Sequence, residues 1–132
     1  MNAKKILGFP ALLFFYLILF YNGVAFSLPR INEIMANNEK TIVDVDGEFS
    51  DWIEIYNPDL EDMNLGGYFL TDNSDNLTKW KFPDFTLKAG EYIIVFASGK
   101  EKNILDTTEE LHTNFELSSK GEYVGLISPD GK

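Results

Sequence analysis

Cysteine is absent from this 132-residue chain, and histidine occurs once, at His112. The first absence excludes a disulfide framework, a thiolate nucleophile and any cysteine-ligated zinc or iron–sulfur centre. The second makes any zinc site or nucleophile–histidine pair depend on one residue. Basic residues are scarce as well: from Leu28 to Lys132, 9 Lys and Arg stand against 21 Asp and Glu, a net charge of −12. So acidic a surface repels phosphate backbones and anionic lipid headgroups, and nucleic acid is not expected as a partner. There is no internal repeat, no low-complexity segment and no Pro- or Gly-rich linker. The length allows one domain.

What is present begins with a targeting segment. Residues 1–27 carry Lys4 and Lys5, no acid, and seven of the nineteen aromatics. Lys4 and Lys5 form a positive start, Ile6 to Tyr21 an apolar stretch, and Gly23-Val24-Ala25-Phe26-Ser27 a small-residue end, the order of a secretory signal. Gly23/Ala25 and Ala25/Ser27 are the candidate peptidase pairs, and cleavage is expected after Ser27. An uncleaved anchor is the alternative. The 16 residues before Asn22 fall short of the roughly 20 that span a bilayer. Either way the rest of the chain is expected outside the cytosol, and membrane attachment only if the segment is retained.

After Leu28 the apolar pattern has strand period. Strands are expected at Ile31 to Ala36, Asp51 to Asn57, Leu65 to Thr71, Lys79 to Phe82, Phe85 to Leu87, Glu91 to Ser98, His112 to Phe115 and Tyr123 to Ser128. In the second, Trp52, Glu54 and Tyr56 face one way, and Ile53 and Ile55 the other. Gly66-Gly67 marks a bulge or a close backbone approach in the third. The sixth lacks alternation and is expected to be covered on both faces. Glu101 to Glu110 reads as a charged loop. About eight short strands, closely spaced turn signals and no amphipathic helix predict an all-β immunoglobulin-like β-sandwich of Greek-key type over residues 28–132. The expected core is Ile34, Ile53, Ile55, Leu65, Phe69, Phe82, Leu87, Ile93, Val95, Phe96 and Leu126. Ser128-Pro129-Asp130-Gly131 is a hairpin turn signal, so a returning strand is expected beyond it. On that reading the last strand is missing from this sequence, Tyr123 to Ser128 keeps an open edge, and the chain is the front part of a longer protein.

Ser50-Asp51-Trp52-Ile53-Glu54-Ile55-Tyr56-Asn57-Pro58 resembles the lamin tail domain as it occurs in exported bacterial proteins. So do Asn64 to Asp72, Trp80-Lys81-Phe82-Pro83 with Phe85 to Gly90, Leu111 to Ser118 and Gly121 to Leu126, in that order. The resemblance implies an immunoglobulin-like sandwich, a final strand after the Pro129-Asp130-Gly131 turn, and a non-catalytic interaction module. It implies a protein partner or a covalently attached neighbour, such as a spore-coat-protein-H-like kinase domain or a secreted hydrolase.

Three groups of residues invite a chemical reading. Asp44, Asp46, Glu48, Asp51 and Glu54 place five carboxylates in eleven residues, a composition that suits calcium. The EF-hand spacing is not met, since Gly47 stands fourth from Asp44 rather than sixth. A solvated turn at Asp46-Gly47 is the preferred reading. His112 opens a strand and is expected to make a structural polar contact. Trp52, Trp80, Tyr56 and Tyr68 offer an aromatic platform for a polysaccharide, although large aromatics are more often core. Asn76-Leu77-Thr78 matches an N-glycosylation acceptor, which carries no weight in a bacterial protein. The sequence therefore predicts no enzyme, no catalytic, cofactor-binding or metal residues, and no cofactor. The function it favours is an exported protein-interaction module, with a carbohydrate-binding module or an accessory domain of an enzyme as the alternatives.

Overall fold

The computed structural model describes residues 27–102 and 110–131. Expectations for the segment 1–26, and for 103–109 within the charged loop, lie outside the described residues. The described residues form nine strands and no helix: β1 (Arg30–Met35), β2 (Asp51–Tyr56), β3 (Met63–Asn64), β4 (Phe69–Thr71), β5 (Trp80–Lys81), β6 (Thr86–Leu87), β7 (Tyr92–Ala97), β8 (Leu111–His112) and β9 (Gly125–Ile127). One sheet has the order β1-β2-β7-β8; the other layer comprises the sheet β5-β4-β9 and the pair β3-β6. Non-consecutive neighbours, β2 beside β7 and β4 beside β9, are the crossings of an immunoglobulin-like sandwich.

Alternation decides which residues enter the core. Ile53 and Ile55 on β2 pair with Val95 and Ile93 on β7, and these inward positions meet Leu65, Leu70, Trp80, Phe82, Leu87, Leu111 and Phe115. Trp80 packs edge-on against Phe82, ring centroids 4.8 Å apart. Its indole N–H is buried without a hydrogen-bond partner among the described residues. Leaving that donor unmade costs about 1–3 kcal/mol. Trp80→Phe is therefore expected to change stability by less than about 1 kcal/mol, because removal of the orphaned donor offsets lost packing. Trp80→Ala opens a cavity and is expected to cost about 3–5 kcal/mol. Urea unfolding of both variants checks the contrast, and a Trp80→Phe cost equal to that of alanine contradicts it.

The structure corrects several expected elements. The strand expected at Leu65 to Thr71 is confined to Phe69–Thr71, which pairs with β5 and β9, and a separate strand not expected from the sequence, Met63–Asn64, precedes it and pairs with β6. Between them Tyr68 N–H donates to Leu65 O, with Gly67 at φ 89°. A turn of that hand is open to glycine and closed to most other residues. The strand expected at His112 to Phe115 starts one residue earlier and ends at His112, where the Thr113 hydroxyl turns back to Phe115 O. It runs parallel to β7. Tyr123 to Ser128 shortens to β9, with Ile127 buried rather than Leu126. The apolar run on β7 is covered on both faces only in its second half, since Tyr92 is exposed. Ile34 lies opposite Ile53 as the alternation requires, yet it is 43% exposed. Phe69, Ile93 and Leu126 are half-buried. Trp52, Leu70, Trp80, Ala97, Leu111, Phe115 and Ile127 complete the buried set.

Candidate functional site

The loop between β1 and β2 carries most of the carboxylates. Asn37, at φ 67°, ends β1, and the buried Asn38 amide anchors the loop by donating to Ile42 O and Ser50 O. Asp44 then organises its tip. One carboxylate oxygen accepts the N–H groups of Asp46 and Glu48, each at 3.0 Å, and the other accepts the Ser50 hydroxyl at 2.8 Å. Lys100, 56 residues on, brings its ammonium to 2.6 Å from Asp44, 2.7 Å from Asp46 and 2.8 Å from Glu48. Lys102 adds a second contact to Asp46 at 2.6 Å.

A lysine ammonium therefore lies where the calcium reading puts a cation. The five carboxylates do not converge: Asp51 accepts the Asn38 N–H, and Glu54 accepts the Asn32 side-chain amide. Among the described residues no group of three or more potential metal ligands forms. Burial pushes the Asp44 carboxyl up, but the Lys100 ammonium, the Glu48 N–H and the Ser50 hydroxyl outweigh it and hold the pKa at about 2. Burial pulls Lys100 down, and its three carboxylate partners more than reverse this, so it stays protonated far into alkali. The two lysines were not singled out in the sequence. Their signal was a basic pair, Lys100 and Lys102, directly after the most apolar strand.

His112 sits beside this clasp. Its ring stacks on Phe96 with centroids 5.4 Å apart, Nδ1 is 2.9 Å from Ser98 Oγ, and Nε2 is 3.4 Å from Glu110 Oε2. A serine, a histidine and a glutamate thus adjoin, but each has a structural duty. Ser98 Oγ accepts the Lys100 N–H, and Glu110 Oε2 accepts the Val45 N–H. The network ties the acidic loop to β7 and β8, in keeping with the structural contact expected of His112.

Trp52, Trp80, Tyr56 and Tyr68 do not form the aromatic platform that was the alternative to core packing. Trp52 and Trp80 are buried on different strands, and Tyr68 is half-buried beside Asp130. Tyr56 instead stacks on its cross-strand neighbour Tyr92 at 4.4 Å, and Arg30 lies over its ring at 5.1 Å. Stacking turns the two rings face to face, so Tyr56 and Tyr92 do not lie side by side in one plane as a polysaccharide platform requires.

β9 pairs with β4 alone among the described residues. Beside it Ile34, Ala36, Leu117 and Val124 line a groove of about 130 Å³. The described residues thus define an immunoglobulin-like sandwich whose charged clusters brace its own loops. Residues 26–132 match the Lamin Tail Domain, and the chain belongs to that family, whose immunoglobulin-like domain typically serves as a non-catalytic interaction module. No curated protein matches the chain.

Proposed function

We propose that this protein is an exported, non-catalytic interaction module that docks on, or is joined to, a protein partner of the cell envelope or extracellular space. The observation that carries this reading is the family match over residues 26–132, whose immunoglobulin-like domain typically serves as a non-catalytic interaction module. The side chains suited to chemistry, Asp44, Asp46, Glu48 and His112, support it, since they are engaged in bracing the fold. The lysine-bearing, acid-free residues 1–27 support export.

Alkaline phosphatase fused after Lys132 tests export, because that reporter needs disulfides that form only outside the cytosol. An active fusion is expected, with the mature chain beginning at Leu28; an inactive fusion contradicts export. Brief amine cross-linking in the producing cells tests the interaction. A heteromeric adduct is expected, and recovery of the monomer alone overturns the interaction reading.

A further inference from the structure

We propose that a pocket between the start of β2 and the end of β7 receives a lysine side chain of the partner protein. This rests on the interaction reading above and adds to it a site and the partner's chemistry.

The pocket has a volume of about 250 Å³, and its walls are tied together by the backbone. Residues 48–51 form one side, and Glu116 and Leu117 the other. Ala97 and Ser98 join them, because Asp51 pairs with Ala97 and Ser98 bridges to Glu116. Gly99, at φ 70°, then turns the chain, and its N–H donates to Phe115 O. Leu117 also lines the groove beside Ile34, so pocket and groove adjoin.

Two kinds of side chain line the pocket. Phe49, 48% exposed, contributes apolar surface with Ala97 and Leu117. Glu48, Asp51 and Glu116 contribute three carboxylates, and no Lys or Arg lines the walls. Lys100 holds Glu48, and Asp51 accepts the Asn38 N–H, but the Glu116 carboxylate has no partner among the described residues. The Glu116 stem lies over Gly99, where a Cβ would come 3.5 Å from its Cγ.

This composition fits a cation carried on an apolar stem. A bare divalent ion needs oxygen ligands that converge on one point, and among the described residues no group of three or more potential metal ligands forms. A lysine satisfies both kinds of wall. Its stem packs on Phe49 and Leu117, while its ammonium, with three rotatable donors, serves carboxylates that come from separate segments. The planar fork of arginine is matched instead to a single carboxylate. The Phe49 ring adds cation–π attraction, and the net charge of −12 over Leu28 to Lys132 draws a basic partner in. The neighbouring clasp already seats a lysine in this way, with Lys100 among Asp44, Asp46 and Glu48.

The probe is Nα-acetyl-lysine methylamide, titrated into the isotope-labelled protein purified from its export fraction and followed by amide chemical shifts. Saturable shifts are expected at Ser50, Asp51, Ser98 and Leu117. The norleucine analogue, which keeps the stem without the charge, is expected to cause none. Glu116→Gln is expected to weaken binding about fivefold, and Phe49→Ala about threefold. Glu61→Gln, the same charge change at an exposed bend, is expected to leave it unchanged. Urea midpoints confirm that the variants fold. The inference is overturned by no saturable shift at these amides, by equal shifts from the norleucine analogue, or by equal effects of Glu116→Gln and Glu61→Gln. Tighter binding of the arginine analogue or of calcium at the same amides also overturns it. So does a dimer in which these amides are already covered, because a second copy then fills the pocket. None of these results bears on the cross-linked adduct, which alone decides the interaction reading.

Discussion

Asn57→Asp is expected to lower the unfolding free energy by about 4 kcal/mol, the largest effect of any single polar substitution in the molecule. Asn57 is fully buried at the end of β2. Its amide donates to Glu61 O at 2.9 Å, Leu87 O at 3.1 Å and Lys88 O at 3.2 Å, while its side-chain oxygen accepts the Asp59 N–H. Its backbone N–H donates to Glu91 O, and its carbonyl accepts from Gly90. One side chain therefore fastens the turn after β2 to the connection between β6 and β7. Aspartate keeps the acceptor but turns an oxygen toward three carbonyl oxygens at a fully buried site. Asn57→Ala merely loses the bonds and is expected to cost about 3 kcal/mol. The sign of the pH effect separates the two. The buried carboxyl introduced by Asn57→Asp titrates above its unfolded value of about 4, so its ionisation penalty is absent below that pH and grows as pH rises. Urea unfolding at pH 3.5 and pH 7 is expected to narrow the gap to wild type at the lower pH for Asn57→Asp and not for Asn57→Ala. A gap independent of pH for both contradicts the geometry.

Asp44→Ala is expected to cost about 3 kcal/mol, because it orphans two loop N–H groups and the Ser50 hydroxyl and removes the innermost partner of Lys100. Lys100→Met is expected to be similarly damaging, since Asp44, Asp46 and Glu48 then face one another with only Lys102 on Asp46. The two substitutions share one interaction, so the double variant is expected to lose less than the sum of the single losses, by about 1 kcal/mol or more. The acid limb of the stability profile carries the same signature. A carboxyl lowered from 3.8 to about 2 contributes roughly 2 kcal/mol that is complete above the unfolded value and disappears as pH falls through the folded one. Wild type is thus expected to lose stability steeply between about pH 4 and pH 2, and Asp44→Ala to lose it less steeply. Parallel acid limbs in the two proteins contradict the clasp.

The parts legible in the sequence are those governed by local periodicity. Ile53 and Ile55 alternate with Trp52, Glu54 and Tyr56, and the register places them on the core face. The same rule oriented Ile34 correctly and still misjudged its burial, because burial depends on the opposing layer and not on the residue's own strand. Gly66-Gly67 was visible as a break, but nothing local distinguishes a bulge within one strand from a turn between two. Asn57 reads as the end of a strand, whereas two of its three acceptors, Leu87 O and Lys88 O, lie in a partner segment that only the tertiary fold brings near. The acidic cluster was visible for the same reason that it was misleading. Its members are close in sequence, while the lysine that pairs with Asp44, Asp46 and Glu48 is 56 residues beyond Asp44.

As a protein-interaction module, this lamin tail domain is expected to dock its partner where Ile34 lies exposed beside an apolar groove, while its charged clusters brace the fold. Photo-cross-linking in the producing cells, with a photoreactive residue at position 34 in one variant and at position 60 in another, tests this most directly. The account predicts an adduct with another protein from position 34 and none from position 60. Adducts from position 60 alone, or from neither position, would contradict it.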